Sequence, residues 1–459
     1  MTSPAVRTAP PAPTVPSSAA RSRALLGLAL GYFMVLLDTT VLSVAEPDLA
    51  ASLGSSTAGL QWAVTGYSVA FGALLLSAGA AADRYGAHRA FRFGIAVFGA
   101  GSLLSAFAPD LRTLVLLRAV LGVAAAACVP ASMALITRLH PEPGERARAV
   151  AVWAAVSGCA MAFGPMIGGV LVDLAGWRAV FLVNVPLAVL VLGLVAGRAV
   201  HCPRGVRRID WPAQLAACAT LALFTDALIA LGDADAGWSR AAWSGAGAAA
   251  ACAVFVRRER RSPAPVLPVE VLQARGTAAV LLAGGAVNFA MLGVLFLLPL
   301  LLQREVGLSP TLAGVAFLPM TLPPGFNPLL TGRIVAKVGP WRPVLGGLAL
   351  LSAGCAVFAV AVLLGTPYWL LAVGLLLAGF GVSFALPALV TAVVTTAPEG
   401  SAGAAGGLLN AVRQVGATLG VAVTGAFAGG AGPEAVAMLL PAAVCAAAAL
   451  VVLRSRRDA

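Results

Sequence analysis

AGAAADRYGAHRAFRFG (residues 78–94) has an echo in TGRIVAKVGPWRPVLGG (residues 331–347), displaced by 253 positions. Gly79, Arg84, Gly86, Arg89 and Gly94 of the first copy answer to Gly332, Lys337, Gly339, Arg342 and Gly347 of the second. Each copy is a short basic turn between two long apolar runs, so one half of the chain repeats the other around a membrane. Internal duplication with charged hairpins between apolar spans is the pattern of a secondary transporter.

The apolar runs set the fold class. Of the 459 residues, 60% are hydrophobic and only 10% are charged. The apolar residues gather in blocks of about 20, the length of helix that crosses roughly 30 Å of hydrocarbon. Fourteen such blocks are legible, near 24–45, 60–81, 91–109, 113–137, 149–172, 178–197, 211–232, 238–256, 277–301, 311–331, 343–364, 367–394, 403–428 and 433–453. The expected fold is therefore all-α and polytopic, two six-helix bundles with an inserted helix pair. The expected division is a disordered tail over 1–22, an N-terminal bundle over 23–198, the inserted pair with its flanking loops over 199–276, a C-terminal bundle over 277–453, and a tail over 454–459. The first block is longer than the apolar core of a signal peptide and runs on through Asp38, which predicts an uncleaved first span.

A net charge of +12 raises the question of nucleic acid, and its placement answers it. With the N-terminus inside, the cytoplasmic tails and loops hold 24 of the 30 Lys and Arg, and the external loops hold Arg112, Arg178, Arg240 and Arg304. Arg118 and Arg413 fall within spans. This is the positive-inside asymmetry, so the basicity orients the chain in a cell membrane with both termini cytoplasmic. No nucleic-acid partner is expected. The seven Cys fall mostly in apolar blocks, and the three His (His88, His140, His201) lie far apart in predicted cytoplasmic loops. No metal spacing, disulfide framework or catalytic cluster emerges. The expectation is no metal, no cofactor, no enzymatic centre and a monomeric chain.

A second echo joins Gly122, Pro130 and Ala131 in the fourth span to Gly379, Pro387 and Ala388 in the twelfth, where Arg118 meets Leu375. Matched positions supply a symmetric scaffold. Unmatched polar residues within spans are where coupling chemistry is expected.

The motifs LDTTVLSVAEPDL (37–49), LQWAVTGYSVAFG (60–72), ADRYG (82–86), LRAVLGVAAA (117–126), GPMIGG (164–169), GWRAVFLVNVP (176–186) and LLNAVRQVGATLGVA (408–422) occur in this order. In them the chain resembles the fourteen-span drug:proton antiporter branch of the major facilitator superfamily. The resemblance implies a proton-coupled exporter of hydrophobic small molecules, an antibiotic or drug, working by alternating access. A nutrient symporter or facilitator on the same fold is the alternative, since fold does not fix function.

Asp38 is the most telling residue within a span. A carboxylate deep in a membrane helix costs ~2.5–3.5 kcal/mol on insertion scales, so an unpaired one is expected to face a cavity. Capping by Thr39 or Thr40 is the bland reading, and the resemblance places a coupling carboxylate here. Arg118 stays charged, so its burial calls for a carboxylate partner or a wet cavity, unless it ties helices together through backbone carbonyls. The resemblance gives it a part in proton coupling. Leu121 stands where the family carries a polar Gln.

The resemblance also implies a gating loop at Gly79, Asp83, Arg84, Gly86 and Arg89. It further implies an antiporter motif at Gly164, Pro165, Gly168 and Gly169, with Ala160 at its first position in place of Gly. Ala160, Gly164 and Gly168 share one face, which admits a close neighbouring helix, and Pro165 is expected to kink the span. Asn410, Arg413 and Gln414 are candidate cavity-lining residues. Glu46 and Asp226 are expected near the outer ends of their spans, Glu46 exposed to water. TLPPGFNPLL (321–330) lacks the acid that some relatives carry there for cationic drugs.

Overall fold

A computed structural model describes residues 17–197, 210–233, 237–262, 267, 269–365, 368–398, 401–427 and 434–457. His201, Cys202, most of the expected N-terminal tail and the last two residues lie outside the described residues. Every regular element among the described residues is helical. The first half comprises α1 (Ser18–Leu53), α2 (Thr57–Tyr85), α3 (Ala87–Ala106), α4 (Leu111–Leu139), α5 (Pro143–Ala175), α6 (Ala179–Leu182) and α7 (Asn184–Leu194). The inserted pair is α8 (Trp211–Gly232) and α9 (Gly237–Arg261), followed by the short α10 (Val269–Gln273). The second half comprises α11 (Thr277–Arg304), α12 (Pro310–Ala316), α13 (Leu318–Thr321), α14 (Pro323–Phe326), α15 (Pro328–Val338), α16 (Trp341–Leu364), α17 (Tyr368–Thr396), α18 (Ala402–Ala426) and α19 (Glu434–Arg457).

Local chemistry sets the helix ends. Side-chain oxygens of Ser56, Asp110 and Ser309 accept from the amides of Gly59, Thr113 and Leu312 at 3.2, 2.8 and 3.3 Å, each satisfying a first-turn donor that has no partner in the helix. Ser17 does the same for α1, so that helix starts inside the segment expected to be a tail. Nine helices among the described residues are long and apolar enough to cross a membrane: α1, α2, α4, α5, α8, α11, α16, α17 and α19. The remaining expected blocks correspond to α3, to the shorter apolar stretch Ala179–Leu194, to α9, to α18 and to the run α12–α15. That last run was expected as one span over 311–331. Pro310, Pro319, Pro323, Pro324 and Pro328 break it into four short helices, because proline lacks the amide proton and clashes with the preceding turn.

The duplication survives in three dimensions. Gly86 and Gly339, the turn glycines of the two copies, hold φ of +95° and +77°, a conformation open to residues without a Cβ. A Cβ on Gly94 would lie 2.9 Å from the carbonyl oxygen of Ala124, and one on Gly347 would lie 2.6 Å from that of Gly381. The copies of the turn therefore seat α3 on α4 and α16 on α17 through equivalent glycines. Within the halves α1 packs on α5 and α11 on α18, while between them α5 meets α12 and α2 meets α18. The inserted pair docks through α8 onto α2 and α18.

Hydrogen bonds stitch the halves together at one end. Gln61 Nε2 donates to the carbonyls of Val421 and Ala422 at 3.2 and 2.7 Å. Gln303 Nε2 donates to Val44 O at 2.9 Å, and the Thr311 amide donates to Asp173 Oδ2 at 3.0 Å. These are the C-terminal ends of α1, α5, α11 and α18 and the N-terminal ends of α2 and α12, the side expected to be external.

Candidate functional site

Asp38 and Arg118 are each 1% exposed. They form a buried ion pair through Arg118 Nη1 and Asp38 Oδ2. Arg118 Nε donates to the Ala63 carbonyl at 2.9 Å, and the guanidinium sits 4.6 Å from the centre of the Tyr67 ring. Asn184 Nδ2 donates to the other carboxylate oxygen of Asp38 at 3.1 Å and reaches Ser102 Oγ at 3.4 Å. One carboxylate thus joins α1 to α4 and α7, and one guanidinium joins α4 to α2. Thr39 and Thr40 do not cap it, since their hydroxyls donate to carbonyls of their own helix. Nor is Asp38 a lone carboxylate. It is paired inside the N-terminal half, which answers the desolvation cost of a lone carboxylate in hydrocarbon.

Tyr67 and Asn184 are site residues the sequence reading passed over. Both stand inside quoted motifs, but only the assembled bundle places them against the ion pair.

Two residues beyond Asp38, Thr40 borders a small pocket between the halves, walled also by Met161, Met291, Met320, Thr321 and Pro324. Its volume is about 20 Å³, room for about one water. The buried hydroxyl of Thr321 has no hydrogen-bond partner. Asn410, Arg413 and Gln414 are not among the residues that wall this pocket. Arg413 instead donates to Asn288 Oδ1 at 3.1 Å and to Asn410 Oδ1 at 2.9 Å, bridging α18 to α11. Gln414 packs at Gly72, where a Cβ on the glycine would lie 2.6 Å from that of Gln414.

The small residues of α5 serve both neighbours. A Cβ on Gly164 would stand 2.8 Å from Thr40 Cβ, and one on Gly168 would stand 2.6 Å from Val41 O, both on α1. Gly169 faces Pro310 and Gly314 faces the Pro165 carbonyl, so the same stretch carries the contact with α12 of the other half. The helix runs unbroken across Pro165. In the basic turn Asp83, Arg84 and Arg89 are exposed, and Gly79 lies opposite Pro130. Arg92 is turned inward, donating to the Val195 carbonyl and, at 3.1 Å, to that of Gly197. It caps the carbonyl end of α7.

Residues 28–421 match the family described as Major Facilitator Superfamily. The chain belongs to that family. It is 34% identical over 407 residues to the multidrug resistance protein Stp of Mycobacterium tuberculosis (strain CDC 1551 / Oshkosh), covering 87% of this chain and 74% of that one. It is 34% identical over 403 residues to the methylenomycin A resistance protein of Bacillus subtilis (strain 168), covering 87% and 86% of the two. A solved structure of a bacterial homolog to the human lysosomal transporter Spinster, inward-facing and unoccupied, superposes with a TM-score of 0.68 over 96% of this chain and 98% of that one. At 18% identity that likeness is one of fold alone.

For a superfamily transporter, the acids outside the ion pair are the next question. Glu46 was expected to reach water and does not. It is 2% exposed, and its Oε2 has no hydrogen-bond partner. The reason is that α1 continues to Leu53 while α11 lies against it, joined by the Gln303 bond to Val44. Asp226 is partly exposed and engaged. It pairs with Arg240 at 2.6 Å and accepts from Ser244 at 2.5 Å and Trp62 Nε1 at 3.2 Å. Asp226 therefore fastens α8 to α9 and to α2.

Proposed function

We propose that this chain is a proton-coupled antiporter that exports hydrophobic small molecules, an antibiotic or drug among them, across the cell membrane by alternating access. It transports and does not transform its substrate. The observation that carries the reading is the sealed Asp38–Arg118 pair on the helix that also borders the pocket between the halves. Protonating Asp38 removes the charge that Arg118 holds and loosens the tie of α1 to α4. Thr40, two residues on, sits on Gly164 and in the pocket wall, so a shift of α1 is felt at the pocket and at α5 together. Proton and substrate would then favour different states of one element, which is the requirement for coupling. The names of the relatives supply the substrate class.

In this reading the chain crosses fourteen times, with both termini in the cytoplasm. The charge asymmetry supports the orientation. Gly79, Asp83, Arg84, Gly86 and Arg89 act as a gate on the cytoplasmic side, and Gly164, Pro165, Gly168 and Gly169 form the hinge surface between the halves. One proton supplies ~2.3 kcal/mol per 100 mV of potential and ~1.4 kcal/mol per pH unit, enough to drive a neutral solute uphill. The test is uptake of labelled hydrophobic drugs into energised inside-out vesicles, with and without a protonophore that collapses the pH difference and the potential together. Uptake that survives the collapse, or accumulation driven the opposite way, overturns the proposal.

A further inference from the structure

Between α8 and α9 lies a groove of about 580 Å³, walled by Phe224, Leu228 and Leu231 of α8 and by Gly245, Ala249 and Cys252 of α9. At Ala249 and Cys252 it runs into a second hollow of about 680 Å³ that ends among Arg257, Arg260 and Arg261. Positions 249, 253, 257 and 261 recur every four residues, and 253, 256 and 260 at intervals of three and four, so these arginines continue the groove face of α9. The positive-inside preference counts charges near a span and prescribes no helix face. The gathering of three arginines at the mouth of an apolar groove therefore needs another reason.

Glu259, the acid within RRERR (257–261), does not neutralise them. Its Oε1 accepts from the Leu267 amide and its Oε2 has no hydrogen-bond partner. Among the described residues no carboxylate pairs with Arg257, Arg260 or Arg261. Depth fits as well. From Gly245 to Arg257 the helix rises about 18 Å, close to half of the roughly 30 Å hydrocarbon core. Exposed Trp238 and Trp243 mark the opposite end of α9, where interfacial aromatics belong.

We propose that this groove binds one anionic phospholipid, its acyl chain along α8 and α9 and its phosphate held by Arg257, Arg260 and Arg261. A planar guanidinium pairs with phosphate oxygens two at a time, and basic pockets beside membrane helices suit anionic headgroups. Since α9 has α8 as its main partner, the lipid completes the outer packing of the inserted pair. The site is independent of what the protein transports.

The test is native mass spectrometry of the full chain in mild detergent, titrated with phosphatidylglycerol or with phosphatidylcholine of the same chains. One phosphatidylglycerol is expected to be retained in preference to phosphatidylcholine. Arg257→Gln/Arg260→Gln should lower that retention about tenfold or more for the charge-assisted bonds lost. Ala249→Phe fills the groove and leaves every charge in place, and it should displace the long-chain lipid while dihexanoyl phosphatidylglycerol still binds. Three results overturn the proposal: Ala249→Phe binding as the unaltered chain does, Arg454→Gln/Arg456→Gln losing as much as the groove pair, or inorganic phosphate competing as well as the lipid.

Discussion

Replacing Arg118 by Met removes the partner of Asp38, the bond to the Ala63 carbonyl and the stacking over Tyr67. Both charged side chains are 1% exposed, so solvent does little to compensate the carboxylate left behind. Breaking such a pair from one side costs about 3–5 kcal/mol, most of it the price of an uncompensated buried charge. Asp38→Asn should cost a comparable amount, because it leaves the buried guanidinium without its counter-charge and its one carbonyl oxygen can meet only one of the two donors, Asn184 or Arg118. The double variant Asp38→Asn/Arg118→Met holds no unpaired charge and should recover about 2 kcal/mol or more relative to Arg118→Met. The assay is denaturant or thermal unfolding of the four purified proteins in one detergent, followed by circular dichroism. A double variant as unstable as the sum of the two single losses would refute the idea that the ion pair dominates this centre. In vesicles, Asp38→Asn should still bind drug but lose drug-induced proton release. Wild-type proton-coupled efflux from Asp38→Asn would reduce Asp38 to a packing residue.

Gly164→Leu should drive α5 off Thr40 and abolish efflux while membrane insertion persists; normal efflux from that variant would mean the close face has been assigned to the wrong residues. Glu46→Met deletes a buried carboxyl with an unpartnered oxygen and should raise the unfolding free energy in detergent by about 1 kcal/mol or more. A fall instead would reveal a partner for Glu46 that the sealed state depends on. Reporter fusions after residues 203, 265 and 459 should read cytoplasmic and one near 235 external; opposite sides for 203 and 265 would mean an odd number of crossings between them and change the span count, and a cytoplasmic reading at 235 would take the inserted pair out of the membrane.

The class of fold was legible in the chain because its determinants are local. Block length, charge placement and a repeated turn need no knowledge of packing, and the matched Gly86 and Gly339 both take up positive φ at their turns. Direction around a helix is a different matter. Glu46 was expected to meet water and is buried, since depth along an axis does not say which neighbour covers a given side. The prolines of the tenth span were visible, yet the four short helices they make depend on how α5 and α17 hold the pieces. Arg118 called for a carboxylate, and the sequence could name the type of partner but not the residue: Asp38 lies 80 positions away, and Asn184 completes the centre from a helix 146 positions from Asp38. Arg413 found a neutral partner, Asn288, on a helix read only as apolar. Hydrophobic length and charge placement act through the solvent, which every residue meets alike, whereas the pairing of buried polar groups acts over a few ångströms, which only tertiary packing can set.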